Sequence, residues 1–402
     1  MAGGEPRERM GECMAGNGEH IHGEVADGYG AVADAFAGNF ADAGEVGAAC
    51  CVYVAGEPVV DLWGGVADLT TGRPWERDTL QLHFSTTKGL AAICAAMLVE
   101  RGLLDDEAPV ARYWPEFAGG GKEGVTVAQC MSHTAGLPAV DVPLTVDELC
   151  AVEPVLRALE AQEPLWEPGT ANGYHAITYG WIVGEIVRRI DGRTLGTFLA
   201  EEVAGPLGAE SYIGLPESEE HRVAPIINSP PPTDPEVLEL MTAIIGPGTM
   251  GYRSLTMDGA IELDADPNPF NTRQVHATEM PAANGISEAR GLARIYGATV
   301  AEVDGVRLLS DDTVRYVRAE RSRGPDRSLV LEGAWGLGFM RDIEFNPLLT
   351  PDSFSHPGAG GSLAYGDLEH GVGFAYVMNQ MGSGLANDER ANRLSEALRA
   401  CL

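Results

Sequence analysis

Segments with strand character stand near both ends of this chain, and about 250 residues between them have helical or loop character. Close to the N-terminus, apolar residues 50–54 and 59–63 flank Ala55-Gly56-Glu57-Pro58, a pattern that predicts a β-hairpin. Close to the C-terminus, three runs predict strands: residues 335–340, 362–365 and 373–379. These segments can pair only in a sheet built from both ends of the chain. The pattern therefore predicts an α+β protein with helices on the faces of the sheet and a helical domain inserted.

The same patterns predict where the structural units begin and end. The length of 402 residues suggests two or three units. We predict a discontinuous sheet domain of residues 24–80 and 330–402, with a mainly helical domain of residues 81–329 between its parts. Residues 225–283 are rich in proline and glycine and predict an irregular insertion, placed as a lid over a site. Residues 1–23 are polar without periodicity, which predicts a flexible N-terminus.

Helices are predicted where apolar residues recur at steps of three and four. The first such pattern begins at Val25 and continues to Phe40. The other predicted helices cover residues 86–101, 176–191, 195–203, 287–301 and 387–398.

The charge of the chain excludes some classes of function. The sequence has 59 acidic and 27 basic residues, a formal net charge of -32, so nucleic acid or an anionic membrane would be repelled. The longest apolar run, residues 89–99, has about half the length that a membrane span needs. Residues 1–17 contain no apolar segment typical of a secretory signal, which predicts a cytoplasmic protein. We expect neither nucleic acid nor a membrane as a partner.

The cysteines and histidines show no pattern typical of a metal site. The seven cysteines are odd in number and lack C-x-x-C spacing, which argues against a disulfide framework and a zinc knuckle. The sequence has no H-E-x-x-H, and we interpret His20-Ile21-His22 as a coincidence in the N-terminal segment. No metal ion and no cofactor are therefore expected.

Lysine is rare in this chain. Of the 27 basic residues, two are lysines, Lys88 and Lys122. Arginine keeps its proton in proteins, whereas a desolvated lysine can lose it, so a retained lysine suggests proton transfer. Lys122 follows Gly119-Gly120-Gly121 and is predicted to be a solvated loop residue. Lys88 is the candidate for chemistry.

The candidate nucleophile is Ser85, which stands three residues before Lys88 at the start of an apolar helical pattern. Residues i and i+3 lie on the same face of a helix, so the hydroxyl and the amine are predicted to be neighbours. A neutral lysine can accept the serine proton, and the helix N-terminus favours an anion formed there. No G-x-S-x-G elbow offers a competing nucleophile. A helix-capping serine followed by a surface lysine is the structural alternative for this pair.

Three motifs in the same order resemble the serine β-lactamase and penicillin-binding-protein superfamily, and specifically its class C-like branch with the family VIII carboxylesterases. Ser85-Thr86-Thr87-Lys88 matches the S-x-x-K motif. Residues 168–174, which end in Tyr174, are similar to P-G-T-x-x-x-Y, and His356-Pro357-Gly358 resembles the third motif of relatives. The resemblance implies the β-lactamase/transpeptidase fold, with an antiparallel sheet flanked by helices.

At two positions the sequence departs from the lactamase motifs and resembles the esterase branch instead. The second motif reads Tyr174-His175-Ala176, without the asparagine of lactamases at its third position. The third motif has His356 in place of lysine, and Pro357 removes a backbone donor. Both changes imply an esterase-like enzyme.

The resemblance implies a role for each candidate site residue. Ser85 would attack the substrate carbonyl, and Lys88 and Tyr174 would share the proton transfers, with a lysine-stabilised tyrosinate as the base. The backbone N-H groups of Ser85 and Ala359, in the third motif with His356 and Gly358, would form the oxyanion hole. Four further residues are candidates for substrate contact: His175, Trp166, Trp335 and Tyr365. His133 is expected to be a packing residue.

The sequence is consistent with several functions. The first is a carboxylesterase-like acyl hydrolase acting on a small ester through an acyl-Ser85 intermediate. The second is an acyltransferase that passes the acyl group to an amine or alcohol acceptor, since partitioning depends on whether the site excludes water. A β-lactamase-like amide hydrolase is a further alternative, and a non-catalytic binding module is the last. The natural substrate, the acceptor and the oligomeric state do not follow from the sequence.

Overall fold

The computed structural model describes residues 8–9, 13–14 and 20–402. The strands are β1 (Glu8–Arg9), β2 (Cys13–Met14), β3 (His20–Val25), β4 (Gly47–Val54), β5 (Glu57–Asp68), β6 (Arg73–Pro74), β7 (Leu80–Leu82), β8 (Ser211–Tyr212), β9 (Val223–Ala224), β10 (Ile286–Ser287), β11 (Ser322–Pro325), β12 (Glu332–Trp335), β13 (Met340–Arg341), β14 (Ser353–Pro357), β15 (Leu363–Asp367) and β16 (Val372–Met378).

The α-helices alternate with irregular segments over the same described residues. They are α1 (Gly30–Asp42), α2 (Thr87–Glu100), α3 (Val127–Met131), α4 (Val146–Ala151), α5 (Glu153–Ala161), α6 (Thr178–Asp191), α7 (Leu195–Phe198), α8 (Gly205–Leu207), α9 (Pro235–Ile245), α10 (Met250–Thr256), α11 (Arg273–Ala277), α12 (Ala289–Val300), α13 (Asp311–Arg318) and α14 (Glu389–Cys401).

The two ends of the chain meet in one antiparallel sheet. In the described part of the chain its order is β1-β3-β5-β4-β16-β15-β14-β13-β12-β11, with β2 and β6 paired at its side. The central pairing joins β4 to β16, strands that stand more than 300 residues apart in the sequence. The predicted α+β class and the sheet built from both ends are confirmed. A second, small sheet has the order β8-β10-β7-β9.

The sheet is covered on both faces, and its central strands β4, β14, β15 and β16 bury every side chain except that of Val54. Along β4, Ala49, Cys51 and Tyr53 join the core between the sheet and the helical part, whereas Cys50 and Val52 join a second core. Alternate residues of a strand point to opposite faces, so a continuous apolar run is what a doubly covered strand needs. Helices α1 and α14 pack over the second core, and α12 packs against β4, β15 and β16 on the other face.

Most predicted helices and the hairpin are confirmed, with shifted ends. The first helix begins at Gly30 and not at Val25, because Val25 ends β3 opposite Val60 and Gly28 turns the chain with a φ of +91°. The run 335–340 is not one strand: β12 ends at Trp335, and a turn through Gly338, with a φ of +83°, leads into β13 at Met340. Residues 225–283 are less irregular than expected, since they form α9, α10 and α11.

The domain division stays a prediction, although four strands of the main sheet lie wholly or partly outside its bounds. Strands β1 and β2 and the start of β3 precede residue 24, and β11 precedes residue 330. The predicted flexible segment 1–23 otherwise lies mostly outside the described residues. None of the helices in the described residues is long and apolar enough to cross a membrane, and the cytoplasmic location stays a prediction.

Candidate active site

Ser85 lies in a tight turn that leads directly into α2. A 3-10 turn covers Phe84–Thr86, and Thr87 continues it as the first residue of the α-helix. Phe84 has a φ of +44°, a left-handed conformation that costs a non-glycine residue about 1–3 kcal/mol and that recurs at functional sites. Ser85 is partly exposed, while its neighbours in the turn are buried. The turn thus presents the hydroxyl to a cavity.

Lys88 is completely buried beneath Ser85. Its Nζ lies 2.9 Å from Ser85 Oγ, 2.7 Å from the carbonyl oxygen of Ala176 and 2.9 Å from that of Ala282. A neutral amine has two N-H groups and one lone pair. The two carbonyl oxygens accept the two N-H groups, so the lone pair faces the serine hydroxyl. The arrangement matches a base that takes the proton from Ser85.

Tyr174 approaches the same hydroxyl from the other side. Its phenol donates to Ser85 Oγ at 2.9 Å. Ser254, on α10, fixes the backbone here: its hydroxyl donates to Tyr174 O at 2.6 Å and accepts from Ala176 N at 3.1 Å. Phenol, hydroxyl and amine therefore form one continuous hydrogen-bond chain.

Burial favours the uncharged forms of both proton carriers. Desolvation holds the pKa of Lys88 well below its ordinary value. Burial also raises the pKa of Tyr174; the bond to Ser85 opposes this rise, and the charge of Asp326 adds a smaller rise. A neutral amine and a protonated phenol are thus favoured over the ammonium and tyrosinate pair expected from the sequence.

The third motif closes the site from β14. The His356 ring is buried, its Nδ1-H donates to the carbonyl oxygen of Pro357 at 2.9 Å, and its Nε2 has no hydrogen-bond partner. Burial and the nearby Lys88 hold the pKa of His356 well below its ordinary value, so the ring is neutral. A Cβ at Gly358 would overlap the carbonyl oxygen of His83, so only glycine lets β14 pack against the Ser85 turn.

These groups lie at the floor of an apolar cavity with about 520 Å³ of space not filled by protein atoms. Three lining residues bring polar side chains to it: Ser85, Tyr174 and His356. The other lining residues are apolar, and none is charged: Phe84, Ala176, Ile177, Leu255, Leu263, Ala283, Leu329, Met340, Phe345, Pro357, Ala359, Leu385 and Ala386. Such a cavity suits an uncharged ligand.

Comparisons with known proteins match most of the chain. The family model described as Beta-lactamase matches residues 32–398. The chain belongs to the β-lactamase family. The esterase/beta-lactamase LipL of Mycobacterium tuberculosis is 36% identical over 383 residues, which cover 93% of this chain and 86% of LipL.

Two solved structures are similar over nearly the whole chain. The crystal structure of a family VIII carboxylesterase matches with a TM-score of 0.85 and 39% identity, covering 95% of this chain and 100% of that one. A penicillin-binding protein homologue from Caulobacter crescentus matches with a TM-score of 0.83 and 40% identity, covering 95% and 100%. The resemblance and the fold predicted from the three motifs are confirmed. The protein is a carboxylesterase-like serine hydrolase of the β-lactamase superfamily.

The structure brings together the three motifs of this family, but none of the four predicted substrate contacts lines the cavity. His175 is buried with Nδ1 against Gly173 O at 2.7 Å and Nε2 accepting from Leu137 N at 3.0 Å. Tyr365 points to the opposite face of the sheet, where it stacks on Phe374. Neither ring lines the cavity, and on either side of His175 it is Tyr174 and Ala176 that do.

The two tryptophans lie behind the second motif. Trp335 stacks on Tyr174 with ring centroids 5.7 Å apart, and His133 packs edge-on against Trp335 at 4.3 Å. Trp166 donates its indole N-H to Ala171 O at 3.1 Å and carries the Arg327 guanidinium over its ring. Neither tryptophan is among the residues that line the cavity. They support Tyr174 and its loop, as His133 does through packing.

Lys122 was expected in solvent, and this prediction is wrong. It is completely buried, and its Nζ donates to the carbonyl oxygens of Gly119, Glu160 and Gln162. Because the chain turns back at α5, three carbonyl oxygens converge where the sequence shows only a glycine-rich loop. Lys122 therefore joins this loop to the end of α5 and does not approach Ser85.

Sequence reasoning missed the apolar wall of the cavity and the supports of Tyr174. Leu255 and Leu263 come from segment 225–283, which was predicted only as a lid. Ser254 and Asp326 carry no local motif that distinguishes them from other polar loop residues. Within residues 20–402, no three histidine, cysteine, aspartate or glutamate side chains lie close enough together to hold a metal ion.

Proposed function

We propose that this chain is a carboxylesterase that hydrolyses small, uncharged esters through an acyl-enzyme intermediate on Ser85. The observation that carries the proposal is the chain from Tyr174 through Ser85 to Lys88, with both hydroxyl contacts at 2.9 Å, on the floor of an apolar cavity. A capping serine and a surface lysine would need neither the burial of Lys88 nor the phenol.

Acylation would begin when Ser85 Oγ attacks the ester carbonyl and its proton passes to the Lys88 amine. The backbone N-H groups of Ser85 and Ala359 would stabilise the negative oxygen, each contributing about 3 kcal/mol. The C-O bond to the alcohol then breaks, Tyr174 donates its proton to the leaving oxygen, and the Lys88 ammonium returns a proton to the phenol. Water would release the acid by the reverse sequence of proton transfers.

The lining of the cavity favours esters over β-lactams. Among its lining residues there is no lysine, arginine or side-chain amide to bind a carboxylate or an acylamide group. His356, which stands where lactamases have lysine, is neutral and presents an unpartnered Nε2. A charged substrate would therefore lose its hydration without compensation.

The same lining supports water as the acceptor. An amine or alcohol acceptor needs polar groups to orient it, and beyond Ser85, Tyr174 and His356 the cavity lining is apolar. Transfer to an amine or alcohol is therefore the second candidate.

The test is incubation with p-nitrophenyl acetate and butyrate, with and without added amines and alcohols, while p-nitrophenol release and the mass of the Ser85 peptide are followed. Steady turnover that does not respond to acceptors is expected. A burst that stops at acyl-Ser85 until an acceptor is added would identify a transferase. Absence of any acylation of Ser85 would overturn the proposed chemistry.

A further inference from the structure

A closed loop stands next to Tyr174 and is organised by one buried carboxylate. We call residues 326–331 the Asp326 loop. Asp326 Oδ1 accepts from the backbone N-H groups of Ser328 and Leu329, both at 2.8 Å. The backbone closes the loop as well, since Asp326 N donates to Leu331 O and Val330 N donates to Asp326 O, both at 2.8 Å. Asp326 is 5% exposed, so this carboxylate is a buried organiser and not a surface charge.

The Asp326 loop is attached to the second motif at several points. Asn172 and Asp326 form a parallel bridge, and Arg327 N donates to Asn172 O at 2.9 Å. The Arg327 guanidinium lies 5.3 Å from the centroid of the Trp166 ring. The backbone N-H of Tyr174 also faces the Asp326 carboxylate and lowers its pKa. One carboxylate thus faces the backbone N-H groups of its own loop and the N-H of Tyr174.

The loop also contributes to the cavity itself. Leu329, whose N-H is held by Asp326, is one of the residues that line it. The position of the apolar wall and the position of the phenol are therefore fixed by the same side chain.

We propose that Asp326 is a positioning residue of this active site, which ties the Asp326 loop to the backbone of Tyr174 and so places both the phenol on Ser85 and Leu329 in the cavity. The proposal rests on the proposed function of Tyr174 as the acid that protonates the leaving alcohol. A displacement of about 1 Å at such a group can lower a rate about a hundredfold.

The negative charge of Asp326 also favours the protonated form of Tyr174, which the proposed role as an acid requires. The titratable groups that face the phenol are Lys88, with Nζ 4.9 Å from the ring centroid, His133 at 4.9 Å, His356 at 6.0 Å and Asp326. Burial holds the pKa of Lys88 and of both histidines well below their ordinary values and so favours their uncharged forms. Burial raises the pKa of Asp326, and its three backbone N-H donors oppose that rise. Its negative charge raises the pKa of Tyr174 and keeps the acid protonated.

The experiment compares two leaving groups in Asp326→Asn. p-Nitrophenolate leaves without a proton, whereas the alkoxide of ethyl butyrate needs one from Tyr174. We expect kcat/KM, which reports the acylation step alone, to fall about a hundredfold for ethyl butyrate and less than about tenfold for p-nitrophenyl butyrate. The alkaline limb of the ethyl butyrate profile should also move to lower pH, because the charge that raises the pKa of Tyr174 is gone.

The control is Asp191→Asn, which removes a carboxylate at the end of α6 that pairs with Arg193 and does not line the cavity. It should leave both rates unchanged. Asp326→Glu keeps the charge but displaces it, and it should show the same order of losses at smaller size. If Asp326→Asn does not fold, the two leaving groups are compared in Asp326→Glu.

Two failures can be told apart. If the wild-type enzyme is not acylated at Ser85 by p-nitrophenyl butyrate, the proposed function fails. If the wild type is acylated but folded Asp326 variants lose both rates equally, or lose neither, the positioning role of Asp326 is wrong while the proposed function stands.

Discussion

Gly89 lies directly against the hydroxyl of Tyr296. A Cβ at Gly89 would overlap Tyr296 Oη and would come 3.8 Å from the Cβ of His356. Gly89 follows Lys88 on α2, and Tyr296 lies on α12, so this contact sets how closely the helix that carries the base approaches α12. The residue after the S-x-x-K motif is therefore constrained by packing and not by chemistry.

Gly89→Ala is expected to lower the free energy of unfolding by about 2 kcal/mol, because an overpacked core must shift backbone or side chains. Urea unfolding measures this change. Tyr296→Phe removes the overlapped hydroxyl, which has no hydrogen-bond partner. In the double variant part of the loss should be recovered, and strictly additive losses would contradict the contact.

Ser85→Ala should abolish covalent labelling by p-nitrophenyl esters, because it removes the oxygen that forms the acyl bond. Intact-protein mass after a short incubation is the measurement. Ser218→Ala, in an exposed segment away from the cavity, is the matched control and should label like the wild type. Undiminished labelling of Ser85→Ala would show that another residue is the nucleophile.

Lys88→Arg should lower kcat by about a thousandfold, because guanidinium cannot accept the serine proton. For the wild type, kcat/KM should reach its plateau well below the ordinary lysine pKa, since burial lowers the pKa of Lys88. Activity should fall only as acid protonates the amine. A rise in kcat/KM that continues to the ordinary lysine pKa would contradict a neutral base.

Lys122→Met should destabilise the fold by about 3 kcal/mol while kcat stays unchanged. The substitution leaves the carbonyl oxygens of Gly119, Glu160 and Gln162 buried without a donor. Thermal unfolding and steady-state kinetics on the same preparation separate the two effects. A large fall in kcat in the folded variant would mean that Lys122 acts on the site after all.

Phe345→Ala should shift the preference of the enzyme towards longer acyl chains, because Phe345 is a large side chain of the cavity lining. The ratio of kcat/KM for hexanoate to that for acetate is expected to rise. Ala386→Leu fills the same cavity and should lower this ratio. If both variants kept the wild-type ratio, the acyl group would bind elsewhere.

The nucleophile and base could be predicted from the sequence because they are local to each other. Ser85 and Lys88 are three residues apart, and the geometry of one helical turn brings them together whatever the rest of the chain does. Tyr174 is 89 residues from Ser85, so no local rule joins them. Its assignment came from the resemblance of its motif to a family.

The wrong predictions concern residues whose surroundings come from distant segments. Lys122 was placed in solvent because it follows a glycine-rich stretch, yet its three acceptors are carbonyl oxygens, two of which only the packing of α5 brings near it. Trp335 is predicted as a substrate contact from its size, but its ring stacks behind Tyr174. Aromatic character alone does not specify which side of a site a ring covers.

By itself the sequence determined the α+β class, the pairing of the two ends of the chain in one sheet and the Ser85-Lys88 pair, because each follows from periodicity or from spacing within one element. The tertiary structure decided the rest. It buried Lys88 completely, and this loss of solvation favours the neutral amine; it also placed Asp326 behind Tyr174. The protonation state of a buried group depends on the dipoles and charges around it, and those belong to residues that only folding brings together.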